Sequence, residues 1–402
     1  VVTLARVEGR GAHAARLLGE AVPAQRELVL GVLRWQLTLD HLLSRHLRQP
    51  LANLDEQVRA ALRVGLYEAR RMRTPTPVAV AEAVRVTKSL APRAAGLVNA
   101  VLRRAVAEPW PDPADGAVPL SLRTSHPEWL VRRWVGLLGE AGATAALLAD
   151  QEPAPLCLLA AVTSRERLSA AGCDLADHPI VPGVLVVGSG AEAAVAALKA
   201  GQTYAIDPAA AAVARLLPAF DGLVVDLAAA PGGKSLVLAS ERPGIGLVAT
   251  DRNLGRLLLM RRNLRRLERG SRLVVADASG PPLRPRRFGF VLLDAPCSGT
   301  GTLRRHPEIR WRLDPSDLGP LATAQRRLAE AAAALLVPGG TLLYATCSLE
   351  PEENAAVLAE LGLEPLPVAT ELDVRRLPSG GVVIPPGLAG DGFTVHLLRR
   401  GA

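Results

Sequence analysis

The stretch "GLVVDLAAAPGGKS", residues 222–235, runs from a near-continuous apolar segment through a Gly-rich turn into a segment of helical character. Parallel strands covered on both faces read as unbroken apolar runs of this kind. Four more follow: "GLVAT" (246–250), "RLVVAD" (272–277), "FGFVLLD" (288–294) and "GTLLYAT" (340–346). Helical segments separate them, notably "RNLGRLLLMRRNLRRLE" and "ATAQRRLAEAAAALL". The alternation predicts an α/β domain over 204–402, built on an open, doubly wound parallel sheet. In such a sheet a ligand binds outside the carboxyl ends of the strands, beside the point where strand order reverses.

The turn at 228–234 lies at such an end, where backbone N–H groups and a helix N-terminus can approach a ligand closely. Three readings compete. The dinucleotide fingerprint G-x-G-x-x-G is absent. A P-loop is a near miss, because Gly233, Lys234 and Ser235 fit but Ala228 stands where its first Gly must be. The third reading is a nucleoside-bearing cofactor without a long phosphate chain. Asp251 ends the next strand, where an acidic side chain can take ribose hydroxyls. Asp226, Asp277 and Asp294 end their strands in the same way. Carboxylates along one rim suit a neutral adenosine and would repel a triphosphate. The competing explanation for any one Asp is a helix cap. Lys234 is one of three lysines beside 44 arginines, so a compact point charge matters there.

Four cysteines without a C-x-x-C pair argue against a disulfide framework and against a structural zinc site, and no metal is expected. A reducing cytosol fits this usage. Cys297 in "DAPCSGTG" (294–301) and Cys347 in "YATCSLEPEEN" (344–354) follow the fourth and fifth strands, so both should face the crevice. The ordinary reading of a Cys is a small buried hydrophobe. That suits Cys157, inside the apolar run "LCLLAAV", and Cys173 carries no signal. It suits two thiols on Pro/Gly/Ser-rich turns poorly.

Upstream of 204 the pattern differs. Residues 1–107 read as helical, with apolar residues at three-and-four spacing in "AQRELVLGVLRWQLTLDHLLSRHL" and "LDEQVRAALRVGLYEARRM". Asn53, with Glu56 three later, is the expected cap of the second segment. Thr76-Pro77 marks a further helix start. "EPWPDPADGAVPLSLRTSHPEW" has five prolines in 22 residues and reads as a linker. The expected organisation is an all-helical domain over 1–125, a small α+β subdomain over 126–203 and the α/β domain over 204–402.

The net charge of +8 is unevenly spread. Residues 1–125 carry 18 Lys+Arg against 11 Asp+Glu, and residues 252–312 carry 15 against 4. Two separated basic blocks point to a polyanion, with solvated helix faces as the plainer alternative. No apolar run approaches the length needed to span a bilayer, and no signal peptide is expected.

With these residues in view, "DLAAAPGGKS", "DAPCSGTGTLRRHPEIRW" and "YATCSLEPEEN" resemble the motifs of RNA cytosine-C5 methyltransferases that use S-adenosyl-L-methionine. The helical segment, with "GVLRWQLTLDHLL", "VGLYEARRM" and "GLVNAVLRR", is similar to the NusB-like domain fused to the bacterial Sun/RsmB type that acts on 16S ribosomal RNA. The resemblance covers nearly the whole chain. Ala228 departs from it, standing where the family commonly has Cys, and "AIDPAAAA" (205–212) lacks the usual Gln before Asp207.

The resemblance implies a Rossmann-like methyltransferase domain, Cys347 as nucleophile, Cys297 assisting release and Asp294 at the polar edge of the base. It places Ala228, Ala229, Ala230, Pro231, Gly232, Gly233, Lys234, Asp251, Asp277 and Asp294 around the cofactor. Arg304, Arg305, Arg310 and Arg312 of "TLRRHPEIRWR" are expected at phosphates around an extruded base. A cytoplasmic monomer acting on ribosomal RNA is expected. The competing classes are a P-loop-like NTPase and a non-catalytic RNA-binding protein of the antitermination type.

Overall fold

The computed structural model describes residues 1–10, 14–19, 21–218, 222–242, 244–265 and 271–401. The chain forms two compact units, Val1–Pro153 with Leu303–Leu313, and Ala154–Thr302 with Asp314–Ala402.

The first unit is helical. Its main helices are α1 (Val2–Arg10), α2 (Pro23–Arg34), α3 (Gln36–Ser44), α4 (Glu56–Arg71), α5 (Thr76–Leu90), α6 (Ala95–Ala105) and α7 (Glu128–Ala149), the last broken at Gly139. The three-and-four spacing puts Leu33, Leu39, Leu43, Leu62, Leu66 and Leu102 into one core. The cap of α4 is Asp55, not Asn53. Its carboxylate accepts the Gln57 N–H at 2.8 Å, while Asn53 ends a preceding 3-10 turn.

Residues 303–313 pack into this helical unit. Arg310 is 1% exposed and donates to the carbonyls of Ser125 (3.1 Å), Arg34 (3.4 Å) and Leu303 (3.4 Å). Trp311 Nε1 donates to Leu33 O at 2.6 Å and Arg312 to Val7 O at 2.9 Å. Arg304 donates to the carbonyls of Glu152 and Pro153. Arg310 is thereby enclosed within the unit, which corrects the expectation that it meets phosphate, while Arg304 and Arg312 each spend donors on carbonyls there and stay part-exposed. Burial pushes the Arg310 guanidinium down to about 10.

The second unit holds two sheets. Three short antiparallel strands, β1 (Cys157–Leu159), β2 (Leu175–Asp177) and β3 (Val184–Val187), lie in the order β1-β3-β2. The large sheet comprises β4 (Leu223–Asp226), β5 (Gly246–Asp251), β6 (Ser271–Val275), β7 (Phe288–Asp294), β8 (Leu336–Thr346), β9 (Glu364–Leu366), β10 (Arg375–Arg376), β11 (Val382–Ile384) and β12 (Phe393–Arg399). Its order is β10-β11-β12-β8-β7-β4-β5-β6, with β9 pairing β12.

From β8 to β6 neighbouring strands are parallel. β12 runs antiparallel to β8, so the sheet is mixed at that side. Alternate residues of the central strands enter separate cores: Val224, Phe290, Leu292 and Leu343 on one face, Val225, Val291, Leu293 and Leu342 on the other. The longer helices of the unit are α8 (Ala191–Lys199), α9 (Pro208–Arg215), α10 (Gly233–Glu241), α11 (Leu254–Arg265) and α12 (Leu318–Leu335). Strand order reverses between β4 and β7, and this sets the crevice at their carboxyl ends.

Candidate active site

The turn after β4 closes into α10 through a cis Ala230–Pro231 bond and Gly232 at φ 102°. A Cβ at Gly232 would also lie 2.6 Å from the Met260 side chain, so both the dihedral and the space call for glycine. This turn lines a cavity of about 190 Å³. Ala228, Ala229, Ala230, Pro231, Gly233, Lys234 and Asp294 border it, joined by Asp226, already one of the expected rim carboxylates, and by Tyr204 and Asp207, which the sequence did not assign to a site.

Lys234 Nζ sits 2.7 Å from Asp294 Oδ2 and 4.8 Å above the Phe393 ring. Burial works against its ammonium, but Asp294 first, then Cys347 and Asp226, outweigh burial and raise its pKa above the ordinary value. Asp226 is 1% exposed. Its Oδ2 meets the Ser235 hydroxyl at 2.6 Å, while Oδ1 has no hydrogen-bond partner among the described residues. Burial, with Asp294 adding to it, pushes the Asp226 carboxyl up to about 7, against Ser235 and Lys234.

Gly232, Asp251 and Asp277 do not border the cavity. Asp251 ends β5 beside it, accepting the N–H of Ala230 at 3.2 Å and of Asn253 at 2.8 Å. Arg256, on α11, donates to the Ala230 carbonyl, so the turn is held from two sides. Asp277 is exposed and caps a turn, accepting both the N–H and the hydroxyl of Ser279. Those bonds hold its carboxyl below the ordinary carboxylate range.

The two thiols meet. Cys297 Sγ and Cys347 Sγ are 3.3 Å apart, each on the turn after its strand. Gly301 N–H donates to Cys347 O at 2.9 Å, and a Cβ at Gly301 would lie 2.2 Å from Gly392 O, so the turns close down on backbone alone. The hydrogen bond to Cys347, then burial, then the charges of Cys347 and Glu353 push the Cys297 thiol well up. Cys157 and Cys173 are buried in apolar clusters, each 2% exposed.

A larger cavity, about 480 Å³, lies within the helical unit. Its Arg59 and Arg63 are already ion-paired with Glu8 and Asp40.

A parallel sheet extended by antiparallel strands at its β8 side, a Gly-rich turn after β4 and acidic strand ends define a methyltransferase-type α/β unit, here joined to a helical one. The family model described as 16S rRNA methyltransferase RsmB/F matches residues 213–369, and the NusB family model matches residues 5–107. The ribosomal RNA small subunit methyltransferase B of Pasteurella multocida is 33% identical over 94% of this chain and 88% of its own length. The protein of the same name from Thermus thermophilus is 35% identical over 93% and 87%. The crystal structure of PH0851 superposes with a TM-score of 0.76 at 24% identity, covering 99% of this chain and 97% of that one, which supports the fold. The chain belongs to the RsmB/F family of 16S rRNA methyltransferases. No helix among the described residues is long and apolar enough to cross a membrane.

Proposed function

We propose that the chain transfers a methyl group from S-adenosyl-L-methionine to C5 of a cytosine in small-subunit ribosomal RNA, through a covalent bond between Cys347 and C6 of the base. The observation that carries this reading is the pair of thiols 3.3 Å apart at the carboxyl ends of β7 and β8, where one buried structural cysteine would not need a second. Membership of a methyltransferase family leaves the P-loop and antitermination readings without a basis.

The residues fit the cofactor. The 228–234 turn offers backbone N–H groups, Asp226 Oδ1 is an unpartnered buried acceptor beside the cavity, and Asp251 and Asp294 stand at the neighbouring strand ends. Asp277 lies further along the same rim. Bound there, S-adenosyl-L-methionine supplies an electrophilic methyl on a sulfonium.

Cytosine C5 is a weak nucleophile while the ring is aromatic. Bond formation from the Cys347 thiolate to C6 removes that aromaticity and gives C5 enamine character. Asp294 faces the polar edge of the base in this reading and favours a proton at N3. After methyl transfer, the C5 proton must leave before the Cys347–C6 bond can break. In this reading Cys297 starts protonated, because the adjoining Cys347 sulfur and burial both favour its thiol form, and its S–H serves Cys347. Once Cys347 is bonded to carbon, its charge and its acceptor strength are gone. The largest cause of the high Cys297 pKa then disappears, so Cys297 can release its own proton to solvent, and the resulting thiolate takes the C5 proton as the Cys347–C6 bond breaks.

Denaturing gels with ribosomal RNA and S-adenosyl-L-methionine test the roles. Cys297→Ala should trap a protein–RNA adduct, whereas Cys347→Ala should give neither adduct nor product. An adduct with the Cys347 variant would reverse the roles. Bisulfite sequencing of the product should place the modified cytosine.

A further inference from the structure

Glu353 lies in the 3-10 turn Pro351–Glu353 that follows β8, and is 0% exposed. A carboxylate this deep is costly unless its oxygens are fully hydrogen-bonded. No ion-pair partner is found for it among the described residues; four donors surround it instead. Oε1 accepts the Ser298 N–H at 2.8 Å and Gln325 Nε2 at 2.9 Å. Oε2 accepts the hydroxyls of Ser298 and Ser348, each at 2.5 Å.

Ser298 follows Cys297, and Ser348 follows Cys347. One carboxylate therefore grips the residue beside each thiol. Gln325, on α12 and itself 0% exposed, also donates to Pro296 O at 2.8 Å, the residue before Cys297. The Glu353 carbonyl accepts the Tyr344 hydroxyl at 2.7 Å, which fixes the turn to β8. Among the described residues Glu353 makes no hydrogen bond to either sulfur.

We propose that Glu353 is a positioning residue: its carboxylate ties the turn carrying Cys297 to the turn carrying Cys347 and so sets the separation of the two thiols. Its part in turnover rests on the reading of Cys347 as attacking and Cys297 as releasing thiol. The brace itself does not. A two-thiol reaction needs both sulfurs at one base in sequence, and a preorganised pair removes the cost of bringing them together at each step. The Glu353 charge also favours a protonated Cys297, the form needed while Cys347 attacks.

The test compares full-length Glu353→Ala and Glu353→Gln, each first shown to bind S-adenosylhomocysteine as the parent does. Phenylarsine oxide reads the thiol separation without substrate: two adjacent thiols form two As–S bonds, and its oxygen leaves as water with the two thiol protons. Glu353→Ala should weaken arsenical binding at least about tenfold, because the pair is no longer held together. Its kcat should fall roughly thirtyfold or more, with KM for S-adenosyl-L-methionine within about twofold. Glu353→Gln should stay within about threefold on both readouts, since Ser298 and Ser348 can turn their hydroxyls from donor to acceptor.

A folded Glu353→Ala with parental arsenical affinity and kcat would overturn the proposal, and so would Glu353→Gln as impaired as Ala. Should Glu353→Ala fail to fold, Glu353→Asp replaces it. Its carboxylate is one methylene short of the turns, so its kcat should fall as for Ala, and parental behaviour would refute the brace. If arsenical binding weakens while a Cys347→Ala enzyme still methylates, the brace stands and the thiol roles fall.

Discussion

Lys234 Nζ and Asp294 Oδ2 stand 2.7 Å apart, joining the first turn of α10 to the last residue of β7 across the point where strand order reverses. The lysine is 10% exposed and the aspartate 35%, so the pair falls between a surface bridge and a buried one. Lys234→Met should cost about 1–2 kcal/mol of stability, above a surface pair and below a buried one. Methylation should fall well over tenfold, because the charge that orients Asp294 is removed. Urea unfolding and initial rates would check both parts. Parental activity in the variant would detach the pair from the chemistry.

Asp226 gives a pH dependence with a definite sign. Its carboxyl titrates near 7 in the fold against an ordinary 3.8, through burial first and Asp294 second. Above the ordinary value the unfolded chain is ionised while the folded one keeps its proton. Stability from this group therefore falls as pH rises from about 4 to about 7, by roughly 4 kcal/mol at most. Asp226→Asn should remove that slope, so the urea midpoint of the parent should drop more between pH 5 and pH 8 than that of the variant. Equal drops would place the titration elsewhere.

Asp251→Ala should weaken S-adenosylhomocysteine binding by roughly 1.5–3 kcal/mol, the range for charged hydrogen bonds. Part of this is indirect, since the carboxylate also holds the Ala230 N–H of the 228–234 turn. RNA affinity should change little. Calorimetry showing unchanged S-adenosylhomocysteine affinity would remove Asp251 from the cofactor site.

Arg310→Ala should destabilise the protein by about 3–5 kcal/mol, as for a buried charged group whose partners are left unpaired. Arg304, which is partly exposed, should cost far less. If Arg310 instead met phosphate, its loss would flatten the salt dependence of RNA binding by about one unit of slope. That slope should be unchanged in any folded Arg310 variant.

The strands around the crevice were legible because β4, β5, β7 and β8 are covered on both faces, which forces continuous apolar runs. β12 was not, because His396 and Arg399 interrupt "FTVHLLRR" and antiparallel pairing leaves no mark in composition. The two thiols announced themselves through local chemistry on Pro/Gly/Ser turns. Glu353 did not, though it sits in the same "YATCSLEPEEN" stretch. Its donors come from residues 298, 325 and 348, and only folding gathers them. Arg310 shows the converse limit: a guanidinium reads alike in sequence whether it faces solvent or three carbonyls.

The placement of residues 303–313 bears on how this architecture can be cut and recombined. The helical unit is completed by a segment encoded between two strands of the other unit, so it is not a module with two free ends. Expressed as residues 1–153, it would lack the Arg310 guanidinium and the Trp311 ring that occupy it, and would leave the Ser125, Arg34 and Leu33 carbonyls bare. A graft of these helices onto another methyltransferase would have to bring the host's own loop after its first cysteine turn, rewritten to match. Joining the two units end to end would not by itself give this arrangement, because the loop and the helices must also be complementary.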